Sequence, residues 1–306
     1  MSDRRYRQPL PLGGEDGLPF SKGLMARSLI ATGLSADRAY ELAIAIEQDL
    51  TASERQSTTL ERIEEVALER LGHQDGAAAM KRLRSYRDLY ELDLPLILLV
   101  GGATGTGKST VATDVAYRLG ITRVTSTDFV RQTMRAFFSR EFMPAIHHSS
   151  FEAGRATAGD DEDGADAQAV IDGFMEQTRE VLVGVRAAID RALEEGWSMV
   201  LEGVHLVPGM LPKEIEGALV VECVLAIDDA EAHASHFWIR DTDSEGVRPY
   251  EKYLDCFDDI RLIQTYILGR ARKHGVPVIR NGSMDEAITE LMELVLSAAE
   301  PLEVGK

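Results

Sequence analysis

The chain is short of cysteine, of long apolar runs and of positive charge, and each shortage narrows what it can be. Its two cysteines, Cys223 and Cys256, stand 33 positions apart. That spacing excludes a disulfide framework or a cysteine zinc site and reads as two reduced thiols. No apolar run reaches the roughly 20 residues that a membrane helix needs. The stretch Met1-Ser-Asp-Arg-Arg-Tyr-Arg7 lacks the apolar centre of a secretory signal. No membrane partner is therefore expected, and a cytoplasmic location is. Lys and Arg number 33 against 51 Asp and Glu, a net charge of −18, which argues against non-specific nucleic-acid binding. The deficit is uneven, −2 over residues 1–92 and −16 over 93–306. Any anionic ligand of the second part must be met by local arginines, because the wider field repels it.

What is present suits a globular protein in two unequal parts. Residues 1–17 are polar and rich in Gly and Pro and read as a loose arm. Apolar residues then recur at helical spacing over Ser21–Thr32, Ser35–Leu50, Thr58–Leu71 and Ala77–Leu92, with Ser35 as an N-cap and Gly72 as a stop. A small helical domain over 1–92 is expected, bordered by Asp93-Leu94-Pro95. Beyond it strands and helices alternate. The strands expected are Leu96–Val100, Arg123–Thr125, Met199–Leu201, Leu219–Ala226 and Val276–Ile279. The helices expected are Lys108–Leu119, Phe129–Arg140, Ala167–Glu195, Asp229–Arg240, Tyr250–Lys273 and Asp285–Ala299. Such alternation predicts an α/β three-layer core, a parallel sheet with helices on both faces. The acidic run at 158–166 reads as a solvated loop.

Directly behind the first strand stands Gly102-Ala103-Thr104-Gly105-Thr106-Gly107-Lys108-Ser109, with Thr110 after it. This is the Walker A pattern between a strand and a helix, the context it requires. Glycines let the backbone turn its N–H groups toward phosphate oxygens at a helix start that already favours anions. Lys108 would reach the β- and γ-phosphates and the Ser109 hydroxyl would ligate Mg²⁺. ATP and Mg²⁺ are the expected cofactors.

Other candidates stand near strand ends, where open parallel sheets bind ligands. Asp128 follows the second strand and is placed to orient an attacking hydroxyl, or simply to cap the next helix. Arg131 and Arg135, four apart, would grip an anion if they face the site and are a solvated edge if they do not. Glu202 closes the third strand as a Walker-B-like acid able to help hold Mg²⁺, or stands there structurally. His205 is within reach of the same edge. His148 and Ser149, in Met143-Pro-Ala-Ile-His-His-Ser-Ser150, suit hydrogen bonding to a polyhydroxy or phosphorylated acceptor. Arg240, Arg248, Lys252 and Arg261 flank the polar gap at 241–246. That arrangement looks like a lid around 240–250, with Arg240 as its charge-stabilising arginine.

Several strings together give a more specific signal: Gly101–Thr110, Ser126-Thr-Asp-Phe-Val-Arg131, His148-Ser-Ser-Phe151, Leu201-Glu-Gly-Val-His-Leu-Val-Pro-Gly209, Tyr253–Tyr266 and Val276-Pro-Val-Ile279. In these the chain resembles the 2-phosphoglycerate kinase family over nearly all of 94–290. The resemblance implies a P-loop kinase core like that of nucleoside monophosphate kinases. It implies MgATP-dependent phosphorylation of a hydroxyl on a small phosphorylated acid, giving 2,3-bisphosphoglycerate. Lys108, Asp128, Glu202 and Arg240 would be catalytic; Asp128, Arg131, Arg135, His148, Ser149, His205 and Arg261 would bind the acceptor. Leu18–Leu29 looks like part of an ATP-cone, although the glycine-rich arm before it departs from that module's hairpin start. A packing or homodimer role for this region is the alternative. Rival readings are a kinase of 3-phosphoglycerate, glycerate or an inositol phosphate, and a nucleotide-sensing regulator without catalysis.

Overall fold

The computed structural model describes residues 20–92, 94–156, 167–243 and 250–299. The arm at 1–17, the acidic run at 158–166 and the lid segment at 244–249 lie outside them. Two compact units share the chain. The limits of the first are Met1–Leu94, Tyr117–Gly120 and Leu291–Lys306, and those of the second Pro95–Ala116 and Ile121–Glu290.

In the first unit, α1 (Lys22–Ala31), α2 (Ala36–Ala52) and α3 (Leu60–Leu71) each start on a hydroxyl. Ser21, Ser35 and Thr59 accept from the backbone N–H three residues on, satisfying donors that a helix start leaves over. Helix α4 (His73–Glu91) begins four residues before the expected Ala77. Gly72, at φ +81, both ends α3 and opens α4. Gly76 is tolerated inside α4 because a Cβ there would press on Ala67 and Leu68 backbone at 3.0 Å. The stripes Leu42–Ile46, Ile63–Val66 and Met80–Leu83–Tyr86 are buried.

The second unit is built on five parallel strands in the order β2-β3-β1-β4-β5. They are β1 (Leu96–Gly101), β2 (Val124–Ser126), β3 (Met199–Glu202), β4 (Leu219–Ala226) and β5 (Val278–Arg280). The helices after α4 are α5 (Lys108–Arg118), α6 (Thr127–Phe137), α7 (Ala167–Glu194), α8 (Ala230–Asp243), α9 (Tyr250–Asp255), α10 (Phe257–His274) and α11 (Met284–Ala299), the ends of α5 from Tyr117 and of α11 from Leu291 counting with the first unit. The α/β core is thus as the alternating pattern predicts. The register matters most for function: Val100 and Ser126 both lie opposite Glu202. Three strand ends therefore share one level.

Two elements differ from expectation. The single helix expected over 250–273 breaks at Cys256, whose φ −109 and ψ 15 leave the helical region. The break aims Tyr253 and Phe257 at the same ring, Phe237. Strand β5 starts at Val278 rather than Val276, because Val276 N–H is taken by Ala271 O at 2.9 Å and Pro277 has no N–H to give.

The link from β3 to β4 contains no helix, yet residues 203–208 are buried. Buried backbone has to find partners, and it does. Gly203 N–H donates to Val100 O at 3.0 Å, Val207 N–H to His205 O at 2.9 Å, and Arg270 Nε to Pro208 O at 3.0 Å. Two apolar clusters flank the sheet elements, one around Phe174, Ile260, Ile263 and Ile267, the other around Ile97, Leu99, Val181 and Leu201. Full burial of such a side chain contributes about 1.5–3 kcal/mol.

Candidate active site

Four successive carbonyls of the loop between β1 and α5 are each engaged by a side chain. Thr106 Oγ1 and Lys108 Nζ donate to Ala103 O at 3.0 and 2.6 Å. His233 Nε2 meets Thr104 O at 2.8 Å, His236 Nδ1 meets Gly105 O at 3.0 Å, and Asn281 Nδ2 donates to Thr106 O at 2.9 Å. With the carbonyls of Ala103, Thr104, Gly105 and Thr106 engaged by side chains, the loop's N–H groups are the groups it can offer an anion. Gly105 and Gly107, at φ +86 and +82, make the path possible. A Cβ on Gly105 would strike Phe237 at 2.5 Å, and one on Gly107 would strike Asn281.

A carbonyl can only accept, so His233 carries its proton on Nε2, and its Nδ1 faces Arg261 Nη1 at 3.4 Å. Burial pushes this imidazole down to about 4, with Arg261 and Lys108 adding to the shift against the bond to Thr104. His233 is neutral at physiological pH. Its ring lies 5.5 Å from Phe237, which stacks on Tyr253 at 4.8 Å, and Tyr253 lies 5.8 Å from Phe151. The base of the loop thus rests on an aromatic column drawn from α8, α9 and the 149–152 turn.

At the other end of the loop, Ser109 Oγ donates to Glu202 Oε1 at 3.0 Å. A hydroxyl beside a buried carboxylate at a strand end fits a small hard cation that arrives with phosphates. Beside Glu202, a cleft of about 450 Å³ is lined by Thr113, Val124, Thr125, Ser126 and Phe129.

Asp128 stands one residue into α6, whose N-cap is Ser126, so the capping role belongs to Ser126. The Asp128 side chain is two-thirds exposed, and Oδ1 meets Arg131 Nε at 3.2 Å. Desolvation by the surrounding protein opposes its ionisation only weakly at this exposure, and Arg131, with Lys108 adding, holds the carboxyl below the usual carboxylate range.

Behind Asp128 runs a buried polar network. His205 Nδ1 meets Thr127 Oγ1 at 2.8 Å and its Nε2 meets Gln177 Oε1 at 2.9 Å. Gln177 Nε2 donates to Ala145 O and His148 O at 2.6 and 3.1 Å. Since the Gln177 amide nitrogen is thus engaged, its oxygen faces His205. The ring therefore carries its proton on Nε2 and accepts from Thr127 on Nδ1. Burial pushes His205 down to about 3. Arg131 Nη1 completes the network with bonds to Ile146 O and His148 O at 3.0 and 2.8 Å.

Several expected ligands are therefore supports in this structure. His205 is fully buried and touches no open site; it fixes Thr127 and Gln177. Arg131 is buried, with its donors on Asp128 and two carbonyls. Arg135 is exposed and turns to Gln132 Oε1 at 3.2 Å. Arg261 donates to Ile227 O and Asp228 O at 2.7 and 2.8 Å, holding the end of β4 where carbonyls need donors. His148 contributes its carbonyl inward and its ring Nε2 to Arg140 at 3.0 Å; Ser149 is half-buried beside it. The backbone of Arg240 belongs to α8, while its side chain lies outside the described residues. His233, His236, Gln177 and Asn281 are the supports that motif reading missed. Only the histidine pair left a signal, two rings three apart on one face of a helix.

No protein-family model matches the chain. It is 34% identical over 281 residues to a 2-phosphoglycerate kinase of Methanopyrus kandleri, covering 92% of this chain and 84% of that protein. With the 2-phosphoglycerate kinase of Pyrococcus horikoshii it shares 34% over 294 residues, covering 96% and 95%. With that of Methanothermobacter thermautotrophicus it shares 38% over 287 residues, covering 92% and 93%.

Proposed function

The chain belongs to the 2-phosphoglycerate kinase family, and from that premise we propose that it moves the γ-phosphoryl group of ATP onto the free hydroxyl of 2-phosphoglycerate. The products are 2,3-bisphosphoglycerate and ADP. The observation that supports this reading is the shared level of three strand ends: Val100 and Ser126 lie opposite Glu202, Glu202 accepts from Ser109, and Asp128 follows two residues after Ser126. On this reading the loop is the donor cradle, Ser109 and Glu202 the cation seat, and Asp128 the carboxylate for the acceptor hydroxyl.

In the mechanism, backbone N–H groups of 103–108 and Lys108 hold the β- and γ-phosphates. Ser109 and Glu202 would hold Mg²⁺, which when bound draws charge from the phosphate oxygens. Asp128 accepts a hydrogen bond from the attacking hydroxyl. Its lowered carboxyl makes it a weak base, so orientation is its main contribution and the proton departs late, as a loose phosphoryl transition state allows. Arg240 is assigned charge stabilisation from the sequence.

The test is ADP release measured against 2-phosphoglycerate, 3-phosphoglycerate, glycerate and inositol phosphates. Strong release with 2-phosphoglycerate, lost by about 10³-fold or more in Lys108→Ala, supports the assignment. Release independent of any acceptor, or selective for another one, contradicts it.

A further inference from the structure

The acceptor named above is itself an anion, and the −16 carried by residues 93–306 has to be countered locally. The cleft beside Glu202 offers hydroxyls and a phenyl ring but no cation. Three described arginines follow Asp128 along α6 and the turn after it. Arg131 has its donors on Asp128 and the carbonyls of Ile146 and His148. Arg135, exposed as Arg140 also is, turns to Gln132 on its own helix.

Arg140 is different. Its Nη2 meets Nε2 of His148 at 3.0 Å, and among the described residues no carboxylate pairs with it. A guanidinium only donates, so this ring nitrogen accepts and the imidazole facing Arg140 is neutral. Arg140 is thus aimed by a ring that accepts from it, and no carboxylate among the described residues pairs with it. The aim is built in. The His148 carbonyl is fixed by Arg131 and Gln177, both themselves buried. On the other side of the segment His147 Nε2 donates to Phe138 O at 3.0 Å, and Phe138 stacks on Phe142 at 5.9 Å.

We propose that Arg140 binds the anionic group the acceptor brings with it, its phosphate or its carboxylate, with His148 as the residue that positions the guanidinium. This rests on the reading of the chain as a kinase of 2-phosphoglycerate. Arg131 ties Asp128 by one bond and His148 by another, so the anion seat and the hydroxyl-orienting carboxylate are held by the same side chain.

Calorimetric binding of 2-phosphoglycerate, glycerate and glycerol 2-phosphate to the full chain, with ATP as a control ligand, tests this. Arg140→Met is expected to weaken 2-phosphoglycerate by about 10- to 100-fold and to leave ATP affinity unchanged. The loss disappears for whichever truncated ligand lacks the group that Arg140 takes, which tells phosphate from carboxylate. Arg140→Lys recovers part of it, as a point charge without the fork, and Arg191→Met, at an exposed arginine of α7 paired with Glu194 and Glu195, changes nothing. Unchanged 2-phosphoglycerate affinity in Arg140→Met, or an equal loss with every ligand including ATP, overturns the subsite while leaving the functional reading intact. A wild type that neither binds 2-phosphoglycerate nor releases ADP with it overturns both.

Discussion

At the scale of single residues, the site separates groups that meet ligands from groups that hold them. On the proposed reading Asp128 belongs to the first kind. Asp128→Asn is expected to lower kcat by about 10²-fold with the KM for ATP within a factor of about two. Because Arg131 and Lys108 keep the carboxyl ionised, the pH–rate profile should show no acid limb from Asp128 above pH ~5. A limb near neutrality would instead make it a tuned base. His233 belongs to the second kind. His233→Ala leaves Thr104 O without the donor it has at 2.8 Å, and should raise the KM for ATP about 10-fold while sparing that of the acceptor. His233→Gln should recover part of the affinity. Equal effects on both substrates would point to general unfolding rather than loop support.

At the scale of elements, the strings that carry the family resemblance join Glu202, the proposed cation ligand, to residues that hold the site in place. In 201–209, Glu202 bonds Ser109, Gly203 lies against Thr127, and His205 pins Thr127 to Gln177. In 253–266, Tyr253 and Phe257 meet Phe237, and Arg261 with Gln264 holds Ile227 at the end of β4. Gly203, at φ +150, has no room for a Cβ against Thr127 Oγ1. Gly203→Ala should destabilise the fold by about 1–3 kcal/mol and lower kcat, read from urea midpoints and steady-state rates. An alanine variant of unchanged midpoint and rate would mean that Thr127 is free to move.

The elements themselves were legible in the sequence, because alternation, caps and the glycine loop are local signals. Strand β4 falls on the expected residues, Leu219–Ala226. The inward turn of Arg131 and the burial of His205 were not legible. Each is decided by carbonyls contributed from residues 145–148 or a side chain on α7, distant in sequence, and spacing along one helix says nothing about them.

At the scale of the whole molecule, two neutral buried histidines predict how stability responds to acid. His205 and His233 lie near 3 and 4 in the folded chain, against about 6.5 when unfolded. Between those limits the unfolded chain binds up to two more protons. Stability is therefore full above pH ~6.5 and falls as pH drops, with a slope approaching roughly 2–3 kcal/mol per pH unit. Glu180 and Glu222, pushed up by burial, oppose part of this nearer their own titration. Urea midpoints at pH 7, 6 and 5 check it; a flat series would mean that both rings are already charged in the folded state, and about half the slope that one of them is. The central claim is larger, that one sheet edge brings donor, cation and acceptor hydroxyl together for transfer to 2-phosphoglycerate. Phosphorus NMR of a reaction containing the chain, MgATP and 2-phosphoglycerate tests it most directly. The account predicts one ADP for each new phosphate monoester, with two monoesters on neighbouring carbons of the same glycerate. Orthophosphate as the only new signal, or an unchanged 2-phosphoglycerate resonance while ATP is consumed, would contradict it.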